Sequence, residues 1–393
     1  MAFTDFDPAS VPSPCFVVDK NAVEGNLKIL NDVQQGSGAK ILAALKAFSF
    51  WRLGALTSQY LSGICASGIH EARLGFEEYV NDENGKKIRD IHTFSAGFKE
   101  DELKAVLEIS DHVVFNSHSQ WQHFQPLIQE ALEKRPNMKF GLRINPSHSE
   151  GDVEIYDPCA VGSRLGIPAN QFKFDQLQGI SGLHFHTLCE HDFPPLKRTL
   201  ESVEEQFGSV LGQMEWVNFG GGHLITEEGY QIEELIGLIK DFSARYDVQV
   251  YLEPGEAIAI HTGVLVAEVL DIVHNGMPIA ILDTSATCHM PDTLEMPYRA
   301  NIWGSGLPNE KAHTYRLGGM TCLAGDVMGD YSFDQPLEIG QRIVFDDMAH
   351  YTMVKTSTFN GINLPSLALF DGKEQSIEVV KQFGYDNFKN RLS

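Results

Sequence analysis

The sequence predicts an α/β fold, a (β/α)₈ TIM barrel followed by an all-β domain, on three observations. Short apolar runs alternate with stretches of helical periodicity from about residue 25 to 255, and eight such runs can be counted. After about residue 260 this alternation gives way to β-branched and aromatic runs broken by Gly, Pro and Asp. Alternating strand and helix signals imply a parallel sheet, and eight units in this length suffice to close a barrel.

In chain order, the first strand signal is 14–18, in an N-terminal segment (1–22) expected to pack on the β domain. The eight barrel strands are read at 41–45, 63–66, 90–94, 112–115, 139–144, 179–185, 216–219 and 248–252. Helical periodicity lies between several of them, at 100–109, 119–133, 196–211 and 230–246. The barrel is placed at 23–258 and the β domain at 259–393, with strands at 263–274, 278–284, 311–317 and 341–345. No low-complexity linker and no internal repeat interrupts the chain, so the halves are expected to pack tightly.

With 393 residues and 43% hydrophobic content, the chain can bury a large core. Its 30 basic and 53 acidic residues leave a net charge of −23, which argues against nucleic acid and anionic membrane surfaces and fits a cationic substrate or plain solubility. The N-terminus lacks the basic-then-apolar pattern of a signal peptide, and no apolar run reaches the roughly 18 residues of a membrane span. A cytoplasmic protein is expected. The six cysteines form no CxxC pair, so neither a structural zinc site nor a disulfide framework is indicated, and no metal is assigned.

Two of the apolar runs end in reactive groups. Lys46 follows the run 40–45, and Glu253-Pro254-Gly255 follows the run 248–252. Alone, a lysine there is an ordinary surface charge and Glu-Pro-Gly an ordinary turn. Together, an amine able to form a Schiff base and an acid able to hold a proton on a pyridine nitrogen suggest a pyridoxal phosphate site. Asn218-Phe219-Gly220-Gly221-Gly222-His223 adds three glycines whose backbone could approach a phosphate, although a bare glycine run is equally a flexible turn. In a barrel the carboxyl ends of the strands carry the chemistry, so Lys46, His186, Gly220 to Gly222 and Glu253 should converge on one face. His184-Phe185-His186 also places two imidazoles on one face of a strand, with Cys189, Glu190 and His191 close by, which leaves a metal-dependent barrel hydrolase as an alternative.

Four separated segments resemble the pyridoxal-phosphate-dependent decarboxylases of the alanine racemase fold, the group that includes ornithine and diaminopimelate decarboxylases. They are the Lys46 segment; Phe185-His186 with the glycine run; Glu253-Pro-Gly; and the pair Thr321-Cys-Leu-Ala-Gly-Asp326 and Ala349-His-Tyr-Thr352, followed by Ser357-Thr-Phe-Asn-Gly361. Within that group, Leu183-His-Phe-His-Thr-Leu-Cys-Glu190, Leu294-Glu-Met-Pro-Tyr298 and Asp347-Met-Ala-His-Tyr-Thr-Met-Val-Lys355 are similar to the carboxynorspermidine and carboxyspermidine decarboxylases of polyamine biosynthesis, from about Pro12 to Leu367. The resemblance implies that Lys46 binds pyridoxal 5'-phosphate, His186 stacks on its ring, Gly220, Gly221, Gly222 and Tyr351 hold its phosphate, and Glu253 pairs with its ring nitrogen. It implies further that Cys322, supplied by the neighbouring subunit of a homodimer, protonates the product carbanion.

Two departures bear on the substrate. The related decarboxylases continue Glu-Pro-Gly with Arg, where this chain has Glu256, and the acid that follows the cysteine in ornithine and diaminopimelate decarboxylases is Leu323 here. Glu256 would repel phosphate but could receive an amine, so Glu256 and Asp292 are read as binding the distal end of a carboxypolyamine; Glu295 is a further acid that could take the amine and Arg299 could pair with a substrate carboxylate, while turn-capping and surface roles compete for Asp292 and Glu295 and a structural salt bridge for Arg299. A racemase would set an arginine, not Glu253, against the ring nitrogen. Decarboxylation of diaminopimelate or ornithine is the near alternative, and a non-catalytic carrier of the cofactor would not need the second domain with Cys322.

Overall fold

The computed structural model describes residues 3, 6–81, 85–151 and 156–393. Met1, Ala2, Thr4 and Asp5 of the N-terminal segment therefore lie outside the described residues. The chain forms two compact units, Glu24–Ile258 and Met1–Val23 with Ala259–Ser393.

The first strand, β1 (Cys15–Asp19), belongs to the second of these units. The barrel unit carries β2 (Lys40–Ala44), β3 (Gly63–Ala66), β4 (Asp90–Phe94), β5 (His112–Phe115), β6 (Lys139–Asn145), the two-residue β7 (Ile167–Pro168), β8 (Gly182–His184), β9 (Trp216–Asn218) and β10 (Gln249–Leu252). All eight strands read from the sequence are present. They pair in parallel in the order β5-β4-β3-β2-β10-β9-β8-β6, and β5 pairs with β6 to close the barrel. The added β7 lies alongside β6 outside that ring.

The helices follow from their apolar spacing. Glu100–Ile109 opens with three acids against its positive end and buries Leu103, Val106 and Leu107 on one face. Phe193–Leu211 starts on prolines, whose missing N–H is harmless in the first turn, and buries residues from Phe193 to Leu211 at helical spacing. One expectation needs correction. The helix read at 119–133 is two helices, His118–His123 and Gln125–Lys134, broken at Phe124 (φ −92°, ψ 8°). Pro126 explains it, because its ring would collide with the carbonyl one turn earlier.

Inside the barrel, Leu42, Val114, Trp216 and Tyr251 form a packed cluster. Beside it the His92 and His112 rings stack at 3.8 Å, and the edge of Trp216 meets His112 at 5.2 Å. The bulk of Trp216 leaves no room beside β8: a Cβ on Gly182 would lie 2.0 Å from the indole.

The other unit is an eight-stranded sheet with short helices, so it is not purely β. Besides β1 it contains β11 (Gly263–His274), β12 (Pro278–Leu282), β13 (His313–Gly318), β14 (Val327–Phe333), β15 (Arg342–Phe345), β16 (Ser366–Asp371) and β17 (Ser376–Lys381). β1 lies between β11, antiparallel, and β16, parallel, and so stands inside this sheet. Val17, Val264, Val266, Val344, Ala368 and Phe370 form its apolar centre.

Two stability outcomes follow. Gly182→Ala should lower stability by about 1–3 kcal/mol, the usual cost of overpacking, measured as a lower urea midpoint; an unchanged midpoint would refute the packing account. Burial also holds His112 down at about 3 and His223 at about 4, against 6.5 for a free imidazole. Unfolded chain takes up those protons near pH 6.5 while the native protein resists them, so stability should be full above pH 6.5 and fall steadily as the pH drops toward 4 and 3. Urea midpoints across that range test it.

Candidate active site

The carboxyl ends of β2, β8, β9 and β10 bring the reactive residues together. Lys46 lies two residues past β2, His186 two past β8, Gly220 two past β9, and Glu253 directly after β10. Period-2 alternation explains why they share an interior face: Tyr251 points into the barrel core, so Glu253 does too, and His184 and His186 follow the same rule.

Lys46 Nζ stands 3.3 Å from His186 Nε2. The lysine is reachable by water yet surrounded by protein on most sides, as befits a side chain lining a recess. Burial holds it below the usual lysine range, with the Arg143 charge acting the same way and Glu253 opposing. A larger neutral fraction makes the amine a better nucleophile.

Glu253 is enclosed and still ionised. Burial pushes its carboxyl up, but the attraction of His184, the Asn218 amide and Lys46 outweighs burial and holds it below the usual carboxylate range. Asn218 Nδ2 donates to Glu253 Oε1 at 2.7 Å, and His184 Nε2 lies 3.4 Å from Oε2. Burial, with Lys46 and Arg143 beside it, keeps His186 well below the normal imidazole range. Arg143, on β6, donates to the His186 carbonyl at 2.9 Å and lies 4.6 Å from the Phe94 ring centre; burial pushes it down to about 10.

The glycine run has a packing reason as well as an electrostatic one. A Cβ at Gly220, Gly221 or Gly222 would meet Phe185 O at 2.6 Å, Glu253 O at 2.2 Å or Leu188 O at 1.9 Å. Gly220 and Gly222 also have φ of 70° and 84°, which favours glycine. Two of the three amides are already engaged: Gly220 N–H donates to Asn218 Oδ1 at 2.8 Å and Gly221 N–H to His186 Nδ1 at 3.0 Å. Among the described residues the Gly222 N–H is the one of the three without a partner, so a phosphate would find its backbone donor there.

Sequence reasoning named Lys46, His186, the glycines and Glu253 but missed Arg143 and Asn218, and weighed His184 only as a metal ligand. His184 and Asn218 end apolar strands, and that position was the available signal; Arg143 lies inside β6 and carried none. His184, His186 and Glu253 bring ligand atoms within 4.8 Å of one another, so the metal alternative had real geometry behind it. The donor set also fits pyridoxal phosphate: a depressed lysine, an imidazole beside it, an ionised acid at the next strand end, and a backbone cradle without side chains.

Glu256 opens the short helix Glu256–Ala259 directly after Glu253-Pro-Gly. The remaining candidates belong to the sheet unit. Cys322 is exposed, its amide and thiol both directed at Asn360 Oδ1, 3.0 and 3.1 Å away. Buried Asp326 accepts from the Ser285 hydroxyl and from the Thr321 amide and hydroxyl, which fixes the loop that bears the cysteine. Asp292 Oδ1 is paired with Lys355 Nζ at 2.5 Å, and Glu295 lies 3.7 Å from the same ammonium. Tyr351 has a positive φ of 44° and lies under Lys355. Arg299 donates to the carbonyls of Gly306 and Asp330 and lies over the face of Tyr331, and among the described residues no acid pairs with it.

A barrel whose strand ends carry a lysine, an acid and a glycine cradle, with a separate sheet unit, defines a class of pyridoxal phosphate enzyme. The family model described as "Pyridoxal-dependent decarboxylase, C-terminal sheet domain" matches residues 15–349, and the chain belongs to this family of pyridoxal-dependent decarboxylases. It is 45% identical over 392 residues to the carboxynorspermidine/carboxyspermidine decarboxylase of Campylobacter jejuni, covering 97% of this chain and 98% of the relative. Identity is 41% over 386 residues to the carboxyaminopropylagmatine decarboxylase of a Synechocystis species, covering 98% and 96%. The crystal structure of carboxynorspermidine decarboxylase from Campylobacter jejuni in complex with norspermidine superimposes with a TM-score of 0.87 at 43% identity, over 97% of this chain and all of that one.

Lys46→Ala should leave the fold intact but abolish the visible absorbance of the bound cofactor and lower turnover by roughly 10³-fold or more, as loss of a covalent nucleophile does. Full activity in that variant would refute the assignment.

Proposed function

We propose that the enzyme decarboxylates carboxynorspermidine and carboxyspermidine, releasing norspermidine and spermidine, as a cytoplasmic homodimer. The full-length identity of 45% to the Campylobacter jejuni relative carries this reading. Glu256, where related decarboxylases have arginine, supports it by offering a carboxylate for the distal ammonium of a polyamine.

Pyridoxal phosphate, when bound, supplies the electron-withdrawing ring that accepts the electrons of the broken Cα–carboxylate bond. Lys46 Nζ is the attachment point, and its depressed pKa keeps it ready to exchange with the substrate amine. His186 flanks Lys46 and covers one face of the recess. Glu253 holds the ring-nitrogen proton. Gly222 N–H would serve the phosphate, with Gly220 and Gly221 contributing space, and the family resemblance alone assigns Tyr351 to the same group. Once the carboxylate is lost as carbon dioxide, Cys322 of the partner subunit would be the residue that returns a proton to Cα. Asp292 adds a second acid for the distal amine.

The Synechocystis relative gives a second reading, in which the distal group is a guanidinium. A planar guanidinium pairs best with both oxygens of a carboxylate, whereas an ammonium needs only one. Asp292 has one oxygen committed to Lys355, which favours the ammonium.

Carbon dioxide release should be measured in parallel from carboxynorspermidine, carboxyspermidine, carboxyaminopropylagmatine, meso-diaminopimelate and ornithine. The two carboxypolyamines should exceed the others in kcat/KM by at least about tenfold, and Glu256→Gln should raise KM for them with little change in kcat. Preference for diaminopimelate or ornithine would overturn the substrate assignment, and preference for the guanidino compound would favour the second reading.

A further inference from the structure

His184 is the last residue of β8 and is 2% exposed. Its Nε2 lies 3.4 Å from Glu253 Oε2, long for a hydrogen bond, and neither ring nitrogen completes a hydrogen bond elsewhere. The edge of Phe94 closes its other side at 5.6 Å between ring centres. A buried imidazole without a partner is costly, and its Nε2 faces the Glu253 carboxylate. The carboxylate's other oxygen is held by Asn218 Nδ2, whose orientation is fixed because Asn218 Oδ1 receives Gly220 N–H. Each carboxylate oxygen has a second lone pair, so both clamps leave an acceptor site for a further donor. Contacts of this kind are commonly long without the ligand and tighten once it binds.

We propose that His184 is a positioning residue for Glu253: its Nε2–H, opposite the Asn218 amide, aims the carboxylate at the cofactor's ring nitrogen and keeps it an acceptor. This rests on the reading that Glu253 pairs with that nitrogen. Lys46, Cys65, Arg143 and His186 also surround the carboxylate; Lys46, Arg143 and His186 serve other contacts, and the Cys65 thiol is a further, weaker donor to Glu253. Of the two imidazoles beside Glu253, His184 is the one whose ring nitrogens make no hydrogen bond elsewhere among the described residues.

The test is binding, not turnover. Apoenzyme is titrated with pyridoxal phosphate and with its deaza analogue, in which a C–H replaces the ring nitrogen. Wild type should prefer the natural cofactor by at least about a hundredfold, since a site built for a polar group rejects the analogue lacking it. His184→Leu should shrink that preference by about tenfold or more, and His184→Gln, which keeps an N–H donor, should restore most of it. If wild type shows no preference, the Glu253 reading fails and takes this one with it. If wild type discriminates and His184→Leu does so equally, His184 is only structural while Glu253 stands. Should His184→Leu not fold, ¹⁵N NMR of the wild-type apoenzyme decides: a proton on Nε2 that responds to Glu253→Gln supports the proposal, and a proton confined to Nδ1 overturns it.

Discussion

A carboxylate that must stay ionised while protein encloses it governs the architecture of this site. An isolated buried anion would protonate instead of persisting. Glu253 escapes because donors converge on it from the ends of nearby strands, Asn218 from β9 and His184 from β8. None of these could be supplied by a single helix or loop. Closure of the barrel makes the arrangement possible, because the strands run parallel and deliver their carboxyl ends to one rim.

The same rim forces the glycine run. β8, β9 and β10 approach so closely beyond their last residues that any Cβ at 220, 221 or 222 would enter backbone carbonyls of the adjoining segments. Removing side chains there does two things at once. It lets Gly220 and Gly221 amides pin Asn218 and His186 in place, and it opens the space a phosphate needs. The cradle is therefore as much a device for orienting side chains as for binding an anion.

Barrel strands and reactive strand ends were legible in the sequence because apolar runs of four to seven residues with a charged or glycine terminus are unusual enough to stand out. Arg143 was not, since in Lys139–Asn145 it interrupts an apolar strand instead of ending it, and Asn218 reads as an ordinary turn former. In the sheet unit, β14 and β17 escaped for a different reason. Val327–Phe333 is broken by Gly and Asp, and Ser376–Lys381 is an edge strand largely exposed to water, so neither carries a continuous apolar signal. The break at Phe124 needed attention to Pro126 in an otherwise regular helical pattern. The clamp on Glu253 was beyond reach because it depends on which strands are neighbours, and β8, β9 and β10 are separated by more than 30 residues each in the chain.

Hydrogen bonding also fixes the state in which Lys46 waits. Gly221 N–H can only donate, so His186 Nδ1 must accept, and a neutral His186 then carries its proton on Nε2. That N–H points at Lys46 Nζ from 3.3 Å. An ammonium there would set donor against donor, whereas a neutral amine accepts through its lone pair. Burial pushes both groups the same way, Lys46 and His186 each toward their uncharged forms, and the lysine adds to the effect on the imidazole. One backbone amide in the glycine run thus determines a tautomer, and the tautomer favours the unprotonated lysine on which attachment of the cofactor depends.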